Sequence, residues 1–389
     1  MFLSFEGLCM TRGTVTGAFV FGTVLSGLCI AGEPLTKPEN VFSNARLENA
    51  EPAILPTTTE RTLPMTGATP TPAAQPTAVF TEAPTAAGYP ASAVCPYCGQ
   101  PRCSGPDIAA CDRQRLFGLF APSDPCFSNF ISPQTNPLFF EDPRTLTELR
   151  FHFVNHSIPE SQPLFQGGEA QFLAAQIRVA LTERLSIIAT KDGYIWISGE
   201  NDAIPNLDGW ADVAAGLKYN VYRDPESQQI LSVGTTFEFD SGTKRVFQGF
   251  GDGEFHVFAT GGAEILPRTH WLSGTGFRLP TDTGDRSQMW YWSNHWDYQL
   301  LEKLYGVLEI NWFHWLKSGN RLPGVNFEGG DLFNLGSGDV AGNDIVTMGA
   351  GGRVKPTQNS ELGVAYEFPL TDRKDLLESR LYVDLILRY

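Results

Sequence analysis

The chain has 389 residues, with 43 acidic and 28 basic side chains and a formal charge of −15. That balance excludes a nucleic-acid partner, which needs a basic footprint, and beyond the N-terminal region no apolar run reaches the about 18 residues of a helical membrane span. Charged residues make up 18%, aromatics 12%, and glycines number 39, which suits strands that face lipid and turn tightly; a mean hydropathy of −0.15 does not oppose this, because half-polar strands hide from hydropathy windows.

Met10-Thr11-Arg12 precedes an apolar stretch from Val15 to Ile30 and small residues at Ala31-Gly32. A basic start, a short apolar core and a small-residue junction mark residues 1–31 as a secretory signal peptide, with Met10 an alternative start and cleavage expected after Ala31. A lipoprotein anchor at Cys29 fits less well, because Leu28 stands where a small residue is wanted. Residues 32–94 are rich in Pro, Thr and Ala, as in Thr69-Pro70-Thr71-Pro72. Such a segment cannot bury enough surface to fold, so it is expected to be a disordered, fairly extended linker.

Residues 95–145 form a Cys-rich and aromatic segment, either periplasmic or a plug for the C-terminal part of the chain. Its cysteines are Cys95, Cys98, Cys103, Cys111 and Cys126. A thioredoxin-like site would need a helix after Cys98, but Gly99-Gln100-Pro101 stands there. Two readings stay open, disulfides in an oxidising compartment and a zinc knuckle. A short helix is expected over residues 107–120, followed by a Pro-punctuated aromatic stretch from Phe127 to Phe140 that packs against or inserts into the remainder.

From Leu146 onward the period becomes 2. Twelve strands are expected, at 146–156, 169–181, 185–197, 211–222, 228–240, 254–264, 268–279, 288–300, 303–316, 344–354, 360–369 and 379–389. Most match or exceed the roughly 9–11 residues that a tilted strand needs to cross a bilayer. Their connections alternate between short turns, such as Thr182-Glu183-Arg184, and long loops, such as residues 317–343. The faces separate cleanly. Val213, Leu217, Tyr219 and Val221 oppose Asp212, Lys218 and Asn220, and Trp290, Trp292, Trp296 and Tyr298 oppose Ser293, His295, Asp297 and Gln299. The last strand alternates in the same way, with Leu381, Val383, Leu385, Leu387 and Tyr389 on its apolar face. A soluble domain rarely leaves so long an apolar edge uncovered. The fold expected is all-β: a closed antiparallel transmembrane β-barrel of about 12 strands over residues 146–389, preceded by the tether and the small cysteine module.

Three pieces carry a family resemblance. Arg178-Val179-Ala180-Leu181-Thr182-Glu183-Arg184-Leu185 resembles a strand–turn–strand unit, and Asp212-Val213-Ala214-Ala215-Gly216-Leu217-Lys218-Tyr219 a Gly-Leu-Lys-Tyr strand, of the phenol-degradation-pathway-type outer-membrane transporters. The closing strand resembles the C-terminal assembly signal of bacterial outer-membrane barrels, carried here by Leu385, Leu387 and Tyr389. The resemblance implies an outer-membrane channel with an N-terminal periplasmic segment. The partners expected are outer-membrane lipid, the barrel-assembly machinery and, through the tether, the cell wall, with no cofactor.

The lumen is expected to be lined by Asp212, Lys218, Glu238, His256, Ser293, His295, Asp297, Glu309, Glu367 and Arg388. The inner face as a whole leans acidic, and rings of carboxylates favour cations. A narrow, weakly cation-selective channel for small solutes is the leading expectation, with residues 317–343 or the segment before residue 146 as candidates to block it. A non-conducting structural barrel tethered to the wall is the alternative. A hydrolase comes third: Ser293, His295 and Asp297 share a face, but alternate strand residues lie about 6.6–6.8 Å apart along the axis, beyond the about 3 Å that a nucleophile and its base need.

Overall fold

The computed structural model describes residues 115–201 and 206–389. The signal peptide, the linker and Cys95, Cys98, Cys103 and Cys111 lie outside the described residues, and with them the choice between disulfides and zinc. The residues expected as a helix over 107–120 are described from Arg115, and there they form a reverse turn: Leu116 bridges to Phe120, with Phe117 and Gly118 at φ of 56° and 74°.

The barrel wall comprises fourteen strand segments: β1 (Glu148–Ser157), β2 (Gly168–Ala180), β3 (Leu185–Lys191), β4 (Tyr194–Gly199), β5 (Leu207–Trp210), β6 (Val213–Asp224), β7 (Gln229–Phe239), β8 (Glu254–Leu266), β9 (Thr269–Pro280), β10 (Gln288–Leu301), β11 (Leu304–Lys317), β12 (Asp344–Thr357), β13 (Ser360–Pro369) and β14 (Ser379–Arg388). β2 pairs with β4 along its first half and with β3 along its second. Likewise β5 pairs with β4, and β6 with β3. Each of these two staves is one strand with a break, so the fourteen segments make twelve staves. β1 pairs with β2 on one side and with β14 on the other, Phe153 facing both Leu173 and Val383. The sheet is therefore closed and antiparallel throughout, as the alternating pattern predicted.

The break at Asp192-Gly193 explains why residues 185–197 are not one strand. Gly193 has φ +119°, and a Cβ there would stand 2.3 Å from the carbonyl oxygen of Leu173, so only glycine fits. The Asp192 carboxylate takes the N–H of Ala175 at 2.9 Å, and Ala211 donates to the Gly193 carbonyl at 2.9 Å. The break shifts the alternation by one residue: Ser186, Ile188 and Thr190 face inward before it, Ile195 and Ile197 after it. Asp192 thus sits in the break rather than on either face of a continuous strand.

Outside, Leu217, Val233, Leu362 and Leu385 form an apolar band, with Trp196, Trp210, Trp292, Tyr219 and Tyr389 among its aromatic members. Inside, two further segments fill the barrel. Residues 122–146 enter at the end that carries the short turns, periplasmic in barrels of this kind, where Ala121 N–H donates to the Ala180 carbonyl and Ser123 N–H to the Tyr389 carbonyl. They rise to a turn at Asn136 (φ 51°), where Phe140 N–H closes onto the Asn136 carbonyl, and return, Thr145 meeting Asp124. Residues 318–343 fold in from the opposite end and bury Phe327, Leu332, Phe333 and Leu335.

Closure rests on β14, which pairs with β13 and β1 along its length. In lipid each backbone group left unpaired costs on the order of several kcal/mol. Deleting residues 379–389 is expected to abolish the folded, heat-modifiable band on gels of outer-membrane fractions, whereas shortening loop 370–378 leaves it. Normal levels of the folded band after the deletion would contradict closure by this strand.

Candidate functional site: a lumen filled from both ends

A chain segment inside a barrel has no sheet to pair with, so its polar groups need partners from the wall. For residues 122–146 the wall supplies them. Glu141 is gripped by Arg178, Nε–Oε1 2.7 Å and Nη2–Oε2 2.5 Å, and by Lys218 at 2.8 Å. Arg178 also reaches Glu148 at 3.1 Å. Backbone carbonyls are met one by one: Pro137 by Gln176 (2.7 Å), Phe139 by the Tyr291 hydroxyl (2.7 Å), Glu141 by Thr260 (2.8 Å) and Pro143 by Ser232 (2.6 Å). Within the segment Arg144 pairs with Asp142 at 2.7 Å and donates to the Phe130 carbonyl at 2.8 Å. Cys126 is buried with Phe127, Phe130, Phe140, Ile230 and Leu272.

The other anchor is Glu309. Its two oxygens accept the N–H groups of Gln134 (2.8 Å) and Thr135 (2.5 Å). Behind it runs a buried chain: His295 Nδ1 lies 2.5 Å from Glu309, His295 Nε2 lies 3.3 Å from Asp297, and Asp297 lies 2.7 Å from His270 Nδ1. His295 thus spends both ring nitrogens on carboxylates. Ser293 accepts instead from Asn136 at 2.9 Å, so the geometry offers Ser293 no base among the described residues and the hydrolase arrangement is not assembled.

The loop from the other end is built around Glu328, which is buried and accepts from Ser287 Oγ (2.6 Å), Leu335 N–H (2.7 Å) and Ser337 N–H (2.8 Å). Asp331 pairs with Arg380, Asn334 donates to Glu254 at 3.1 Å, and Gly330 O accepts from Arg278 at 2.9 Å. Asp375, on the neighbouring loop, accepts the Glu328 N–H at 2.9 Å and lies 2.8 Å from Arg373 Nε.

The remaining residues expected in the lumen all lie on the inner side, buried except for the half-buried Arg388. Asp212 accepts from Gly242 and Gly249 N–H and pairs with Arg286 at 3.0 Å. Glu238 pairs with Lys191 (3.0 Å) and Arg286 (2.7 Å). His256 meets the Tyr291 hydroxyl at 2.9 Å. Glu367 accepts from Asn311 at 2.9 Å and Tyr382 at 2.6 Å. Arg388 pairs with Glu148 at 2.8 Å and with Glu361. His156, also on the inner face, bonds Arg380 and the Leu376 carbonyl. Leu385, Leu387 and Tyr389 face outward. The sequence pattern placed these residues on a face but did not reveal their partners Glu141 and Arg286, nor Glu328 at the centre of the loop. The one local hint was the acidic pair Glu141-Asp142 directly behind the apolar Phe139-Phe140.

Among the described residues the middle of the lumen holds a cavity of about 10 Å³, lined by Leu138, Phe139, Lys191, Glu238 and His256 among others, which is at the lower limit for a single water. On the periplasmic side a vestibule of about 860 Å³ opens between Arg144, Lys303, Tyr305, Lys355 and Arg388. On the opposite side a hollow of about 260 Å³ lies between Gln162, Phe327 and Asp375. The halves differ in character. The upper half contains an apolar cluster, in which wall residues Phe172, Ile195, Ile197, Met289, Phe313, Trp315 and Ile345 pack with Phe327, Leu332, Phe333 and Leu335 of the loop, beside the charge pairs Arg286–Asp212, Arg278–Glu254 and Arg380–Asp331. The lower half is held by the charge pairs around Glu141, Asp384 and Arg388, with a smaller apolar cluster around Phe127 and Phe130.

Closed wall, apolar exterior and polar interior define an outer-membrane β-barrel. No protein-family model matches the sequence, and no curated protein matches it. Among solved structures the chain is similar to an outer membrane channel from Pseudomonas putida F1, at 11% identity and TM-score 0.47, over 67% of this chain and 100% of that one. It is also similar to a Pseudomonas aeruginosa FadL homologue, at 11% identity and TM-score 0.35, over 70% and 99%, and to the P. putida toluene transporter TodX, at 10% identity and TM-score 0.32, over 66% and 92%.

Two outcomes are expected from this geometry. Removing one partner of a buried pair costs about 3–5 kcal/mol, whereas removing both costs much less. Arg178→Met is therefore expected to lower the unfolding free energy in detergent by about 3–5 kcal/mol, and Glu141→Gln added to it to recover part of the loss; additive losses would contradict the pairing. Burial, opposed by Arg373 and by the Glu328 N–H and aided by the Glu328 carboxylate, pushes the Asp375 carboxyl up to about 7 from its ordinary 3.8. A carboxyl that holds its proton more tightly when docked favours docking below its free value and loses that advantage as pH rises through about 7. Spontaneous openings in planar bilayers are expected to be more frequent at roughly pH 8.5 than at roughly pH 5.5, and Asp375→Asn to remove the difference; an unchanged pH response in that variant counts against the assignment.

Proposed function

We propose that the protein is a gated outer-membrane channel whose solutes are small and apolar or aromatic. The observation that carries this reading is the apolar cluster in the upper lumen. If residues 318–343 withdraw, they uncover an apolar stretch of wall, Phe172, Ile195, Phe313, Trp315 and Ile345, which offers an apolar solute burial at about 25 cal/mol per Å², beside the polar groups of Ser287, Arg278, Glu254 and Arg380 that the loop also covers. Glu238, Asp297 and Glu309, which the sequence suggested as a source of cation selectivity, are held in pairs in this closed state. A preference for cations belongs to the state in which residues 122–146 have left Glu309. The tight packing of the midsection favours a second reading, a structural barrel that does not conduct. Assembly machinery and cell wall remain the proposed partners.

Proteoliposome uptake of an apolar fluorophore and of a sugar of similar size separates these readings. Shortening loop 321–340 is expected to speed uptake of the fluorophore by about tenfold or more, a change of about 1.4 kcal/mol in barrier, and Phe313→Asp with Ile345→Asp to abolish the gain. Equal gains for the sugar would refute an apolar route. Uptake of neither by the shortened chain would leave the structural barrel.

A further inference from the structure

The two inner segments come from opposite ends of the barrel, and Arg278 on β9 touches both. Its guanidinium carbon lies 4.9 Å from the ring centroid of Phe139, in the N-terminal segment. Its Nη1 donates to the carbonyl of Gly330, at the inner tip of loop 318–343, at 2.9 Å. Its Nε is fixed by Glu254 at 2.5 Å, and Glu254 in turn holds Asn334 of the same loop. Phe139 has little freedom of its own. It stacks on Tyr291 at 5.7 Å and lies 5.0 Å from His256, and its carbonyl takes the Tyr291 hydroxyl.

We propose that Arg278 is a positioning residue that couples the two closures, so that release of the N-terminal segment weakens the docking of loop 318–343, and the reverse. The inference deepens the channel reading and rests on it for its purpose, although the coupling itself is a property of the closed barrel. The physical basis is that one planar, rigid fork serves two segments. When Phe139 moves away, the guanidinium loses an aromatic face that attracts it and faces a space that water can enter. Its bond to Gly330 then competes with hydration. When Gly330 leaves, a second buried donor is stranded beside Nη2, which already lacks a partner among the described residues, and the site relaxes around Phe139. Coupling of this kind is reciprocal. Arg380, the other arginine at the loop tip, pairs with Asp331 and His156. Among the described residues it has no hydrogen bond or ion pair to the N-terminal segment, so it serves as a comparator.

The test reads one closure while the other is disturbed. Leu335→Cys reports on the loop through labelling by an impermeant thiol reagent added outside intact cells, with the parent chain subtracted. Glu309→Gln disturbs the N-terminal segment at Gln134 and Thr135 without touching the loop. With Arg278 present, Glu309→Gln is expected to raise labelling at Leu335→Cys about fivefold or more. With Arg278→Met, or with Arg278→Lys, which keeps a cation beside Glu254, the rise is expected to fall to about twofold or less. Arg380→Lys is expected to raise the baseline and to leave the response to Glu309→Gln intact. The heat-modifiable band identifies variants that have folded, and the lysine variant covers a failure of the methionine one. No rise with Arg278 present, or the same rise without it, overturns the proposal. Conductance recorded on the same proteins keeps the two questions apart: coupled labelling with no conductance in any variant sinks the channel reading and leaves the coupling standing.

Discussion

Every backbone N–H and C=O at membrane depth must find a partner within the protein, and the rest of this structure depends on that constraint. It acts twice. In the wall it is met by closing the sheet, β1 joining β14, so that no edge faces lipid. Inside the wall it returns in another form, because residues 122–146 carry polar backbone into the lumen with no strand beside them. Gln176, Ser232, Thr260 and Tyr291 reach in from the wall to take the carbonyls, and Glu309 takes two N–H groups. A polar inner face is thus the partner surface of an inserted chain as well as a potential pore lining.

Charge obeys the same logic. Glu141 faces Arg178 and Lys218, while Asp384 is shared by Arg150 and Arg353. Buried pairs add little net stability over apolar packing, but they penalise any arrangement that separates them. They therefore fix where the inserted segment sits more than how strongly the barrel holds together. The loop combines both kinds of contact: side chains such as Leu332 and Phe333 are attracted without strict geometry, while Asp331 with Arg380 and Glu328 with Ser287 fix its register.

Much of the wall was legible in the sequence, because a strand between lipid and a polar interior must alternate. Val213, Leu217 and Tyr219 against Lys218 and Asn220, or Leu362, Val364 and Tyr366 against Glu361 and Glu367, gave both face and span. The break at Asp192-Gly193 was not legible. One residue there shifts the phase, and alternation alone cannot distinguish an inward Asp192 from one that replaces a ladder acceptor. Contacts between distant parts of the chain carry no local signal either. Nothing near Glu309 announces Thr135, and nothing near Arg278 announces Phe139 or Gly330. The sequence showed an inner face that leans acidic but not how its carboxylates are paired, because many countercharges and donors come from segments far away in sequence.

The central claim is that the lumen is closed by an inserted segment whose release permits transport. Asn136 and Ser293 are in direct contact, Nδ2 to Oγ 2.9 Å, so Asn136→Cys with Ser293→Cys places two thiols within the span of a short, reducible bis-methanethiosulfonate linker that can lock that segment to the wall. Uptake of an apolar fluorophore by proteoliposomes carrying this double variant is the direct measurement. The account predicts no protein-dependent uptake when the pair is linked and recovery on reduction to the level of the single variants. Equal uptake in the linked and reduced states would contradict it.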